Sequence, residues 1–272
     1  MPISVIIAAK NAERTIGECL ESVQMNNAAE IIVVDGNSTD RTVNIAKRYT
    51  DRMYSDEGRG FNYAQQLGAN CATQEYVAYV DSDIILPQGT LAALLAELGA
   101  SDCISMQASL LPASLSTYWE RAADWNVRLL QARRSGGLSA AVLRRDTILK
   151  YRLDAEVETS SDAVLELSAK RDGQKLGTSS AVFVYHFYPA TLKGFARQRF
   201  RYGRDASRVI WKYRLWHIGF WHTMGFMLYW VAICLIKGKP NFIPYSLVGG
   251  ILNIAGVVTG FFELIGESLR KG

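Results

Sequence analysis

Glu30-Ile31-Ile32-Val33-Val34-Asp35-Gly36-Asn37-Ser38-Thr39-Asp40 is the stretch whose reading decides the fold. A short β-branched run stops at Asp, Gly, Asn and Ser, and a helical pattern from about Asp40 to Tyr49 follows. Strand, turn and helix in that order make half of a βαβ unit. Ser38 or Thr39 reads as the N-cap of the helix, because a hydroxyl there accepts from its first free N–H groups. Outward from this stretch, Ile3 to Ala9 is an apolar run followed by a helix from about Glu13 to Met25, and Tyr76 to Val80 follows another helix. Short β-rich runs separated by helices imply right-handed crossovers and an α/β fold with a parallel sheet. Ligands of such sheets lie beyond the carboxyl ends of the strands. Here those ends are Ala8-Ala9-Lys10-Asn11, Val34-Asp35-Gly36-Asn37 and Val80-Asp81-Ser82-Asp83.

Two carboxylates directly after the run Tyr76 to Val80 put uncompensated negative charge at that edge. A divalent cation resolves the cost, and hard oxygen ligands suit Mg2+ or Mn2+, which bind phosphates through one or two carboxylates. The alternative is a solvated turn. Asp35 divides in the same way between turn chemistry and ligand binding.

The chain has 272 residues, 49% hydrophobic and 21% charged, enough for one sizeable core and an appendage. Its four cysteines, Cys19, Cys71, Cys103 and Cys234, show no pairing or His spacing, which points away from a disulfide framework or structural zinc and toward a reducing, cytosolic setting. The N-terminus opens into strand pattern without a basic leader.

Composition changes after about Trp216. Ile218 to Ile236 and Phe242 to Phe262 carry no Asp, Glu, Lys or Arg, and each approaches the ~20 residues needed to cross a bilayer. Two spans are expected, joined by Lys237 to Asn241, with Gly256 and Gly260 as a GxxxG step for close packing. Lys193, Arg197, Arg199, Arg201, Arg204, Arg208, Lys212 and Arg214 precede the first span, and Arg270 and Lys271 follow the second. The positive-inside rule puts both ends in the cytoplasm. Interleaved aromatics make the basic stretch better suited to an anionic lipid surface than to nucleic acid. The expected domains are 1–190, catalytic; 191–216, basic and interfacial; and 217–272, two transmembrane helices of about 218–236 and 242–262.

Ser-Val-Ile-Ile-Ala-Ala-Lys-Asn-Ala from Ser4, Ile-Ile-Val-Val-Asp-Gly-Asn-Ser-Thr-Asp-Arg-Thr from Ile31, and Glu-Tyr-Val-Ala-Tyr-Val-Asp-Ser-Asp from Glu75 together resemble the GT-A fold glycosyltransferases of family 2. The similarity is strong over about 1–100 and looser over about 155–205. It implies a GT-A, Rossmann-like, mostly parallel sheet, a nucleotide-diphosphate sugar donor and a metal. By resemblance, Asp35 contacts the base or ribose with Ala8 and Glu13 nearby. Asp81, Ser82 and Asp83 form the DxD, with Asp83 the more direct metal ligand. Gly58-Arg59-Gly60 and Gln65-Gln66-Leu67-Gly68 line the donor diphosphate; Gln66 stands where Asn is frequent, and Gly36 where a second Asp is frequent. Thr159-Ser160-Ser161-Asp162 resembles the segment with the catalytic base, which makes Asp162 the base; its alternative role is a helix N-cap. His186 completes the metal site or is structural. Gln198-Arg199-Phe200-Arg201-Tyr202 resembles a QxxRW signature, so Gln198 and Arg201 meet either the diphosphate or lipid headgroups.

The leading expectation is an inverting, metal-dependent transferase moving a sugar from that donor to a lipid or lipid-linked acceptor at the cytoplasmic membrane face. The competing readings are a polyprenyl-phosphate glycosyltransferase, a processive polysaccharide synthase and a membrane-tethered binding protein without chemistry. Tyr118, Trp119, Trp125 and the turn Arg133-Arg134-Ser135-Gly136-Gly137 read either as an acceptor loop or as core and surface.

Overall fold

The computed structural model describes residues 2–131, 136–154, 161–214 and 216–271. The elements run β1 Ile3–Ala9, α1 Ile16–Met25, β2 Glu30–Asp35, α2 Thr42–Ala46, β3 Met53–Ser55, α3 Phe61–Cys71, β4 Tyr76–Val80, β5 Ile84–Ile85 and α4 Thr90–Gly99. Next come β6 Cys103–Pro112, α5 Tyr118–Gln131, β7 Ala140–Arg144, α6 Arg145–Tyr151, α7 Ser161–Arg171 and β8 Lys175–His186. The last are α8 Leu192–Lys212, α9 Trp216–Ile236 and α10 Ile243–Lys271, the final two joined by a 3-10 turn at Pro240–Phe242. Two compact units result: Met1–Ala113 with Asn126–Phe187, and Ser114–Trp125 with Tyr188–Gly272.

The first unit is built on one sheet of order β3-β2-β1-β4-β7-β6-β8-β5. All seven residues of β1 are buried, and they alternate: Ile3, Val5, Ile7 and Ala9 join one core cluster with α1 and α4, while Ile6 and Ala8 join another with α3. A strand covered on both faces reads as a continuous apolar run, which is why 3–9 was legible. Gly68 lets α3 lie against β1, since a Cβ there would sit 2.3 Å from Ile6 Cγ2.

Only β3, β2, β1 and β4 form the parallel block that the sequence implies; the sheet as a whole is mixed. The crossover from β4 through α4 to β6 leaves a gap of one strand, and β7 fills it antiparallel to both neighbours. β8 then pairs parallel with β6, and β5 antiparallel with β8.

In the second unit, Tyr118, Trp119, Phe195, Phe242 and Tyr245 pack together. Trp119 stacks on Phe195 at 4.9 Å, and the Tyr118 hydroxyl donates to Asn241 O at 2.9 Å. α8 and α10 run parallel at backbone contact: a Cβ on Gly203 would meet Asn253 O at 2.0 Å, and one on Gly256 would meet Phe200 O at 2.1 Å. The GxxxG step thus docks on α8. Among the described residues one helix, Pro240–Arg270, is long and apolar enough to cross a membrane, with mean hydropathy 1.8. Of the first expected span, 218–236, most side chains before Met227 lie outside the described residues, and the described apolar part, Met227–Ile236, is too short to cross, so one of the two expected spans is supported.

Candidate active site

Polar groups at three parallel strand ends are tied together by local chemistry. Asn11 and Asn37 take left-handed backbone, at φ 51 and 58, a conformation Asn tolerates better than most residues. Asn11 N donates to Ser38 Oγ (2.9 Å), and its side-chain oxygen accepts from Thr39 N (2.9 Å). Neither Ser38 nor Thr39 caps α2. Asp40 braces that turn instead, accepting from Thr42 N at 2.9 Å and from Glu13 N at 3.2 Å, and so the helix starts later than its pattern suggests. Glu13 itself faces the Arg41 guanidinium at 3.2 Å. Ala8 lies in the core and offers only backbone to this edge.

Asp35 takes part in the turn and also keeps one oxygen open. One carboxylate oxygen accepts from Ser38 N at 3.1 Å; the other is buried with no hydrogen-bond partner. A buried acceptor left open costs free energy until a donor arrives. Beside it, the loop after β3 is folded by a residue that the sequence reading passed over. Asp56, buried, accepts from Gly58 N (2.7 Å) and Gly60 N (3.1 Å), while its own N–H reaches Asp35 O at 3.0 Å. Its Asp-x-Gly spacing, a turn signal, was the available clue. Arg59 rides on this loop over the Tyr63 ring, 4.6 Å from its centroid. Gln66 is occupied elsewhere, accepting from Leu153 N (2.8 Å) and donating to Asn70 (3.1 Å).

The acidic pair meets histidine through a long-range pairing. Register Ile84↔His186 between β5 and β8 sets His186 Nε2 3.3 Å from Asp83 Oδ1. Burial and then the Asp83 charge push the Asp81 carboxyl up to about 7, against pulls downward from His186 and the Ser139 hydrogen bond; Asp162 adds to the rise. Burial lowers the His186 imidazole, but Asp83 and Asp81 outweigh it and raise the group above its ordinary range. Asp162, exposed at the start of α7, is therefore close enough for its charge to be felt at Asp81, and its Oδ2 would lie 3.5 Å from a Cβ on Gly137. Gly137 must be glycine here because Gln107 accepts from its N–H and leaves no room for a side chain. Lys10, Asn11, Glu13, Asp40, Ser82 and Asp83 line an open pocket of about 360 Å³.

Carboxylates and an imidazole are donors that Mn2+ or Mg2+ accepts, and the raised Asp81 carboxyl marks excess negative charge, so these residues fit a divalent cation. Among the described residues no three His, Cys, Asp or Glu side chains are grouped so as to enclose an ion. Gln198 and Arg201 lie on α8 in the second unit, Arg201 exposed over the neighbouring Tyr202 ring at 5.7 Å. Thr159, Ser160 and Arg133 to Ser135 lie outside the described residues.

A mixed α/β sheet with an acidic turn after β4 matches the GT-A-like fold of sugar-nucleotide transferases. The chain belongs to glycosyl transferase family 2, whose sequence profile matches residues 4–142. The lipopolysaccharide core biosynthesis glycosyltransferase LpsC of Rhizobium meliloti is 31% identical over 107 residues, 38% of this chain and 39% of LpsC. The uncharacterized glycosyltransferase YibD of Escherichia coli is 39% identical over 88 residues, 30% of this chain and 26% of YibD. The matches thus span well under half the length of these curated relatives. Among solved structures, the mannosyltransferase PcManGT from Pyrobaculum calidifontis, in complex with GDP-Man and Mn2+, superposes with TM-score 0.69 at 17% identity, over 96% of this chain and 87% of that one. Glucosyl-3-phosphoglycerate synthase from Mycobacterium tuberculosis, in complex with Mn2+, UDP-glucose and phosphoglyceric acid, gives 0.54 at 19% identity, over 76% and 78%. At these identities the likeness is one of fold.

Proposed function

We propose that this chain is an inverting glycosyltransferase that moves a sugar from a nucleoside-diphosphate donor to a lipid or lipid-linked acceptor. The observation that carries the reading is the convergence of Asp81, Asp83, His186 and Asp162 at the sheet edge where β2 also ends, at Asp35 with its open oxygen. Asp35 accepts from the donor's base or ribose, next to Ala8 and Glu13. Asp83, His186 and Asp81 hold the Mn2+ or Mg2+, with Ser82, Arg59 and Gly60 along the diphosphate. The cation, when bound, offsets the charge of the departing nucleoside diphosphate.

Asp162 serves as general base. Its carboxylate takes the proton of the acceptor hydroxyl as that oxygen bonds to the anomeric carbon, while the bond from that carbon to the diphosphate breaks on the opposite face. The apolar and basic character of the second unit supports the lipid acceptor, with Gln198 and Arg201 toward headgroups; the catalytic unit is assigned to the cytoplasmic side. In support, solved relatives bind GDP-Man or UDP-glucose together with Mn2+.

The test is transfer by detergent-purified protein from a panel of UDP- and GDP-sugars, with Mn2+ or Mg2+, with and without membrane lipid extract. Metal-dependent product in the lipid fraction, lost in Asp83→Ala and Asp162→Ala, is expected. Donor binding without turnover under every condition would replace the enzyme with a tethered binding protein.

A further inference from the structure

The second unit contains an apolar helix packed along its length on a charged one. α8 carries seven basic residues and one acidic residue in 21. Its contacts with α10 advance together along both helices: Phe195 beside Gly249, Gly203 against Asn253, Phe200 and Arg204 at Gly256, Ser207 at Gly260 and Arg208 toward Glu267. An α10 that crossed a bilayer would therefore carry α8, with Arg199, Arg201, Arg204 and Arg208, into the hydrocarbon. Charged side chains at that depth are strongly disfavoured.

The faces of α10 agree. Gly249, Asn253, Gly256 and Gly260 line the side toward α8. Leu247, Ile251, Val258, Phe262, Ile265 and Leu269, spaced at threes, fours and a seven, form a single stripe on the other side. That stripe is open to the surroundings, with Phe262 71% and Leu269 78% exposed. A spanning helix meets lipid or apolar protein all round, whereas α10 has an exposed apolar stripe on one side and a basic partner helix on the other, the arrangement of a helix that lies in the membrane surface.

We propose that α10 does not cross the bilayer. It rests in the plane of an anionic leaflet with the Leu247-to-Leu269 stripe among the acyl chains, and the basic residues of α8 hold the acidic headgroups. This placement is independent of the reaction assigned to the first unit.

The experiment places one spin label at a time, through Leu247→Cys, Val258→Cys and Leu269→Cys, in the full chain with its native cysteines replaced, reconstituted into vesicles of phosphatidylcholine and phosphatidylglycerol. Depth is read from relative accessibility to oxygen and to a water-soluble nickel complex. An in-plane helix gives all three labels the same shallow depth, within the ~5–10 Å of an interfacial helix, and binding falls severalfold in vesicles without phosphatidylglycerol. A crossing helix would put Val258 at the centre and the other two near opposite surfaces, ~33 Å apart at 1.5 Å per residue. That outcome overturns the proposal, as do three labels open to nickel in water, which would mean that the stripe does not enter lipid.

Discussion

Exchanging Asp81 for Asn should stabilise the metal-free protein while removing its activity. In the unfolded chain this carboxyl ionises near 3.8; in the fold burial and Asp83 hold it protonated up to about 7. The folded state thus binds the extra proton across that interval, and stability falls as pH rises from about 4 to 7. His186, held charged above its ordinary 6.5, acts in the same direction: its contribution is complete below 6.5 and is lost as pH climbs past its folded value. At ~1.4 kcal/mol per tenfold, the Asp81 term cannot exceed about 4 kcal/mol. Part of that is repulsion shared with Asp83 and Asp162, so the neutral amide should recover ~1–2 kcal/mol at pH 8, a rise of ~2–8 °C at ~2–4 °C per kcal/mol. The assay is thermal unfolding in chelator at pH 5.5 and pH 8, for wild type and Asp81→Asn. Wild type should melt lower at pH 8, and the variant should lose most of that difference. A variant no more stable than wild type at pH 8 would refute the claim that the charge at this strand end is uncompensated.

Three further outcomes follow from single contacts. Asp35→Ala removes the open acceptor and the Ser38 brace together, so donor KM should rise ~10-fold or more, by analogy with the ~1–3 kcal/mol of a lost buried hydrogen bond, as steady-state kinetics would measure. Asp56→Ala frees the Gly58 and Gly60 N–H groups; donor KM should rise with kcat less affected, and hydrogen exchange should show the 56–60 loop opening. Gly68→Val forces side-chain atoms onto Ile6 and should cost at least ~1–3 kcal/mol of stability in denaturant titration.

The N-terminal half of the fold was legible because β1, β2 and β4 are short apolar runs buried on both faces, each ending in a polar turn. The same ends exposed Asp35, Asp81 and Asp83 as candidates. What stayed hidden was long-range. Ala140–Arg144, β7, is short and alanine-rich, and nothing in its periodicity says that it runs backward between β4 and β6. The neighbourhood of Asp83 and His186 rests on a pairing between a two-residue strand and the end of a twelve-residue one. Helix starts were misjudged where a carboxylate took over backbone donors, as Asp40 does before α2. Tyr118 and Trp119 read either as an acceptor loop or as core, and the structure makes them core; their partners, Asn241, Phe195 and Tyr245, lie far along the chain in the second unit.

The parallel packing of α8 and α10 also orders events during synthesis. A helical hairpin closes as soon as its second arm is made, but parallel helices need an intervening return, here α9 and the 3-10 turn. Nascent α8, complete at Lys212, must wait for the segment that begins at Ile243 before Gly203 and its neighbours are covered. Over that interval its amphipathic surface is unshielded. Contact with a lipid surface while the ribosome is still at work would protect it until the last helix is fitted onto its partner.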